Sequence, residues 1–147
     1  MSEPCLLGRW CIPAEATELA SLRHNLQAAI TAIGVEEAAA GVILLAVDEA
    51  CANIIRHGYH NRPGETLEVA AFHDKDSLIF QLLDYAPPVG PAKISPRELA
   101  DVRPGGLGVY FIRQIMDAVD YLPPPPGYGN CLRLAVQLGK TFTWEEA

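Results

Sequence analysis

The sequence predicts a single α/β domain, and three observations point to it. Apolar residues recur at helical spacing over 14–33 and then run almost unbroken through the middle of 36–57. Two strand-like runs follow, TLEVAAFH at 66–73 and SLIFQLLD at 77–84, joined by a short polar turn. A glycine cluster at 105–108 then opens another helical pattern, and two more β-type runs come after it.

In order, CLLGRWCI at 5–12 reads as a first strand ended by Pro13. Leu19, Leu22, Leu26, Ala29, Ile30 and Ile33 make one face of an amphipathic helix over 14–33, with Gly34 as its C-terminal cap. Glu36 and Glu37 open a second helix, about 36–57, where acidic residues suit the positive end of the helix dipole. Val42 to Val47 is apolar all round, so burial on several sides is expected. The runs at 66–73 and 77–84 read as an antiparallel hairpin with its second strand central in the sheet. Residues 85–104 contain five prolines and room for one short helix at SPRELADV, a composition that suits a lid or binding loop. Val109, Ile112, Ile115 and Met116 give the next helix its apolar face. AVDYL at 118–122 reads as an edge strand, PPPPGYGN as a stiff connector, and CLRLAVQL at 131–138 as the last strand, with a peripheral tail at about 139–147.

Composition limits the function classes. Over 147 residues half are hydrophobic and the formal net charge is -7, which suits one folded domain and argues against a general nucleic-acid binder. The N-terminus lacks a signal-peptide layout and no apolar run was expected to span a membrane, so a cytoplasmic location is expected. Cys5, Cys11, Cys51 and Cys131 form no CxxC pair and read as reduced thiols. His57 and His60 are HxxH-spaced, but His60 lies beyond Gly58 in a probable loop and makes a poor zinc pair.

The chemistry concentrates in the second helix. Glu49, Asn53 and His57 are spaced i, i+4, i+8, so they share one face with a drift of about 40° per step. Either they form a satisfied hydrogen-bond network, or they line a cation or nucleotide site with Glu49 available as a base. Asp48 lies about 100° away around the helix and should face elsewhere. Asp84 ends an apolar strand, where it is a turn cap or a ligand contact. Glycines opening a helix at 105–108 let backbone N–H groups approach an anion.

Taken jointly, AVDEACANIIRHGY, RPGGLGVYFIRQIMDAVDY and GNCLRL resemble the anti-sigma-factor serine kinases, stand-alone members of the histidine-kinase-like (GHKL) ATPase superfamily. The resemblance covers nearly the whole chain. It implies a two-layer α/β sandwich with a mixed, mostly antiparallel sheet and helices on one face, and a site for ATP and Mg²⁺. By similarity Glu49 is the general base, Asn53 the Mg²⁺ ligand, and His57 a neighbour of the phosphates. Asp84 reads the adenine amino group, and Gly105, Gly106, Leu107, Gly108 and Val109 follow the phosphates. Arg103 on the lid is a further phosphate candidate. The partners implied are a sigma factor, a STAS-type anti-anti-sigma protein carrying the acceptor serine, and a second copy of the chain.

One departure from the family pattern bears on function. The first glycine box, usually D-x-G-x-G, is DYAPP here, so Ala86 and Pro88 replace glycines. A Cβ at Ala86 could narrow the adenine pocket, which keeps open a non-catalytic partner-binding module of the same fold. The catalytic domain of a two-component histidine kinase is disfavoured, because no dimerisation helix with a phosphoacceptor histidine precedes the domain.

Overall fold

Strand alternation and helix amphipathicity build the two layers. The computed structural model describes residues 3–88 and 106–139, with side chains from 111 onward in the second stretch. The strands are β1 (Cys5–Pro13), β2 (Thr66–Asp74), β3 (Ser77–Asp84), β4 (Ala118–Leu122) and β5 (Asn130–Gln137). The α-helices are α1 (Leu19–Thr31), α2 (Glu37–Asn53) and α3 (Gly106–Ile115).

The sheet order is β1-β2-β3-β5-β4, and every described pairing is antiparallel. The expected mixed sheet is therefore antiparallel throughout its described part. The reason is the position of β5. The segment through α3 brings β4 back in the direction of β3, and β5 fills the slot between them. Central placement of β3 agrees with its nearly continuous apolar sequence.

Alternate residues of the strands face the helices. Leu67, Val69 and Ala71 of β2, Leu78, Phe80 and Leu82 of β3, and Leu132, Leu134 and Val136 of β5 join one core cluster. The helices meet them with Leu22, Leu26 and Ile30 of α1, Ile43, Leu44 and Val47 of α2, and Ile112 and Ile115 of α3. Each fully buried side chain of this size contributes about 1.5–3 kcal/mol, so the register that keeps one parity inward is strongly fixed. Arg9, Glu68 and Gln81 have the opposite parity and remain at least partly exposed.

The first helix starts later than its apolar spacing suggested. Pro13 still pairs with Thr66, and the Ala14 N–H donates to the Glu65 carbonyl at 2.8 Å, so the chain stays tied to β2. A 3₁₀ turn at Ala16–Glu18 then precedes α1. Its end is as expected: Gly34 takes φ +102, its N–H donates to the Thr31 carbonyl, and the Val35 N–H reaches back to Ile30.

The second helix is buried on most sides, though Leu45 remains 41% exposed. It does not end at Asn53. A π-turn at Ile54–Gly58 extends it. The helical stretch Glu37–Gly58 is long and apolar enough by composition to cross a membrane, contrary to the reading of the sequence, but half of it is buried inside the protein.

Tyr59 follows the π-turn and is fully buried. Its hydroxyl donates to the Thr66 carbonyl at 2.8 Å and accepts from the Tyr85 N–H at 2.7 Å. One side chain thus joins the end of α2 to the start of β2 and the end of β3. Burial pushes its phenol up to about 12, so it remains a donor at all ordinary pH. Tyr59→Phe should keep the ring and strand both backbone groups. A loss of about 1–3 kcal/mol is expected in urea unfolding, with the m-value unchanged. A loss below about 0.5 kcal/mol would show that the hydroxyl does not join these elements.

Candidate functional site

The site is built where the end of α2 meets the end of β3. Glu49 and Asn53 are half-buried on successive turns of α2, and His57 is exposed within the π-turn. A π-turn is wider than an α-turn, so each residue advances by less than the α-helical ~100°. The drift that separates Glu49 from Asn53 is therefore partly reversed between Asn53 and His57. The turn could not be read from the apolar pattern, which fits an uninterrupted helix equally well.

Asn53 has a cation beside it. The Arg56 guanidinium Nη2 donates to Asn53 Oδ1 at 2.9 Å. Asp48 faces away from this stripe, as its position on the helix predicts, and pairs with Arg23 of α1 at 3.1 Å. Burial raises the Asp48 carboxyl, and the Arg23 charge and hydrogen bond oppose that rise.

Asp84 is 3% exposed and belongs to the inward parity of β3. Its Oδ1 accepts from the Ala86 N–H and from Asn130 Nδ2, each at 2.9 Å. Asn130 faces Asp84 directly in the β3–β5 register, and its Nδ2 also approaches the carbonyls of Ala86 at 3.3 Å and Pro87 at 3.1 Å. One amide therefore fixes both the carboxylate and the turn after it. The two alternatives for Asp84 merge, since Oδ1 caps the turn while the group lies at the edge of the site.

Asn130 was not recognised as a site residue from the sequence. The only signal was its place in GNCLRL, and the register across β3 and β5 is what gives it meaning. Gly129 is explained in the same way. Its N–H donates to the Asp84 carbonyl at 2.7 Å, and a Cβ at this position would collide with the Ala86 carbonyl oxygen.

Ala86 is 2% exposed and joins the core cluster. Its methyl lies 3.3 Å from where a Cβ on Gly58 would stand. The methyl thus fills space that Gly58 leaves at the end of α2. The Ala86 N–H and C=O are both engaged in the Asp84–Asn130 knot.

A cleft of about 460 Å³ opens beside this knot, and its lining includes Pro88, Arg113, Tyr121, Gly129 and Asn130. Burial, and then the negative Asp84, push the Tyr121 phenol up, which places that carboxylate within electrostatic reach of the cleft. Among the described lining residues none comes from α2.

Gly106, Leu107, Gly108 and Val109 lie within α3, which begins at Gly106 rather than after the glycines. Gly105, Arg103, the SPRELADV segment and the tail from 140 onward lie outside the described residues. Among the described residues no group of three or more His, Cys, Asp or Glu could hold a metal ion, consistent with the weak HxxH reading.

Burial raises the Asp84 carboxyl above its ordinary 3.8, and the Asn130 and Ala86 hydrogen bonds only offset part of that. The folded state thus holds this proton more tightly than the unfolded chain does. Stability associated with Asp84 is full below 3.8 and is lost as pH rises through the raised folded value. Asp84→Asn keeps an oxygen acceptor for both donors and removes the buried charge. It should match or exceed the wild type in stability at pH 7, with the advantage gone below pH 3.8. Urea unfolding across this range would test it; destabilisation at pH 7 would contradict it.

Residues 12–136 match the histidine kinase-like ATPase domain. The chain is 26% identical over 119 residues to the serine-protein kinase RsbW of Bacillus cereus (strain AH820), covering 76% of this chain and 74% of that protein. It is 27% identical over 131 residues to the protein of the same name from Bacillus pumilus (strain SAFR-032), covering 82% and 80%. These similarities agree with the resemblance read from the motifs of α2 and α3. With helices packed on one face of an open antiparallel sheet and a match along most of its length, the chain belongs to the histidine kinase-like ATPase domain family.

Proposed function

We propose that the protein is an ATP-dependent protein serine kinase that also restrains a sigma factor. The observation that carries this reading is the buried Asp84 carboxylate, held at the end of β3 beside the helix that presents Glu49 and Asn53. A carboxylate kept in place despite an unfavourable burial term is a frequent mark of a ligand site. The names of the similar proteins, serine-protein kinase RsbW, support the reaction class.

In this reading Asp84 accepts a hydrogen bond from the exocyclic amine of adenine. Asn130 orients the carboxylate for it. The start of α3 at Gly106 turns free backbone N–H groups toward the phosphates. Asn53 Oδ1 is a neutral oxygen that already accepts from a cation, so it suits Mg²⁺, which prefers oxygen ligands. With no protein-only metal cluster among the described residues, that ion would arrive with phosphate oxygens as its other ligands. When bound it neutralises phosphate charge.

Glu49 takes the proton of the attacking serine hydroxyl. The serine oxygen bonds to the γ-phosphorus, and the bond from that phosphorus to the β–γ bridging oxygen breaks, releasing ADP. The acceptor serine belongs to a STAS-type anti-anti-sigma partner, and phosphorylation of that partner leaves the sigma factor bound. Action in the cytoplasm as a pair of copies belongs to the same reading.

The non-catalytic alternative rested on Ala86. Its methyl is taken up by the core opposite Gly58, which supports the catalytic reading over that one. Glu49→Gln should retain nucleotide binding within about threefold and lower phosphate transfer to the partner by about 10²–10⁴-fold. Radiolabelled ATP and calorimetry measure the two quantities. Equal transfer by wild type and variant would remove Glu49 as the base, and absence of nucleotide binding at millimolar concentration would return the alternative.

A further inference from the structure

We infer that Arg56 is a latch on the oxygen of Asn53, occupying it until nucleotide phosphates draw the guanidinium away. This rests on the reading above, in which Asn53 holds Mg²⁺. The guanidinium Nη2 donates to Asn53 Oδ1 at 2.9 Å, across the junction of α2 and the π-turn. Both residues are half-buried. The ion pairs found among the described residues are Arg9–Glu68, Arg23–Asp48 and Arg62–Glu65, and Arg56 takes part in none of them. Its full positive charge is therefore placed on a neutral amide oxygen, a weaker acceptor than any carboxylate or phosphate.

The metal and the guanidinium compete for the same place. Mg²⁺ sits about 2.0–2.1 Å from an oxygen ligand. An N–H donor at 2.9 Å from that oxygen would bring a second positive charge within a few ångströms of the ion. Arg56 thus opposes metal loading while it stays on Asn53. Phosphates change the balance, because their charged oxygens match the planar fork of the guanidinium and can accept two parallel N–H groups. When they arrive, Arg56 turns to them and Asn53 Oδ1 becomes available. Arg56 is a positioning residue in this scheme and takes no part in the bond-making step.

The consequence is a weakened coupling between metal and nucleotide. Arg56 supplies part of the phosphate neutralisation that Mg²⁺ would otherwise supply, and its charge repels the ion. Without Arg56, nucleotide affinity should depend far more on the metal. Linkage makes the two statements equivalent, since the factor by which Mg²⁺ improves nucleotide binding equals the factor by which nucleotide improves metal binding.

The test is calorimetric titration of the full chain with the β,γ-imido analogue of ATP, in EDTA and in saturating Mg²⁺. Wild type, Arg56→Gln and Arg56→Lys are compared. In EDTA, Arg56→Gln should bind the analogue about tenfold more weakly than wild type, and in Mg²⁺ the two should agree within about threefold. Arg56→Lys keeps the charge and should stay near wild type in both. An equal Mg²⁺ enhancement in wild type and Arg56→Gln overturns the latch while leaving the kinase reading intact. A uniform loss in Arg56→Gln under both conditions also overturns it, as the sign of a merely structural role. Failure of wild type to bind the analogue in either condition overturns both readings.

Discussion

The hydroxyl of Tyr59 is the point on which the two layers agree. A helix packed on a sheet by apolar contacts alone can slide, because such contacts carry little direction. A hydrogen bond fixes distance and angle, and here one oxygen makes two of them, to the Thr66 carbonyl and from the Tyr85 N–H. The strands so joined are neighbours, and the residues beside the joint are Gly58, Asp84 and Ala86. The distance between the face of α2 and the end of β3 is thereby set by one buried ring rather than by the whole interface. A nucleotide site between them needs that distance held.

The site itself is less stable than it could be. Asp84 is buried against its electrostatic preference, and a neutral amide in its place would serve the local hydrogen bonds equally well. Asn53 is occupied by a cation that has no carboxylate partner among the described residues. His60 and Asn61, just after Tyr59, both take positive φ, at 53 and 58, without being glycine. Three unfavourable features within a dozen residues of one joint are hard to account for by folding alone. They are what a binding site looks like before its ligand arrives, with the surrounding core supplying the stability that the site lacks.

Much of the fold was legible because local pattern and burial agree. The inward parity of β2, β3 and β5, the face of α1, the Gly34 cap and the edge position of β4 could all be read from apolar spacing and turn residues. The stripe on α2 was legible for the same reason, because Glu49 and Asn53 lie within one element. What failed to show were features that depend on distant partners. Asn130 has meaning only opposite Asp84, 46 residues away. Gly129 is required by a carbonyl of the loop after β3. Tyr59 sits in a polar loop sequence, yet one of its partners is 26 residues off. The start of α1 was misplaced because a sheet contact at Ala14 outweighs helix propensity over the next residues. Ala86 was first read as an intrusion into a pocket, and only the position of Gly58 shows where its methyl goes.

The position of β5 also governs how the molecule can assemble during synthesis. β3 and β4 are both made before β5, yet they do not touch as a pair, and the slot between them is filled by the strand that follows. A nascent chain that has emerged only as far as Leu122 holds an open seam through the middle of its sheet. Both flanking strands then show unpaired backbone to the cytosol and to chaperones. The same seam contains Asp84 without Asn130, so the carboxylate has no amide to fix it. Closure of the sheet and completion of the nucleotide site are therefore one event, and no ribosome-bound fragment lacking β5 would hold a formed site.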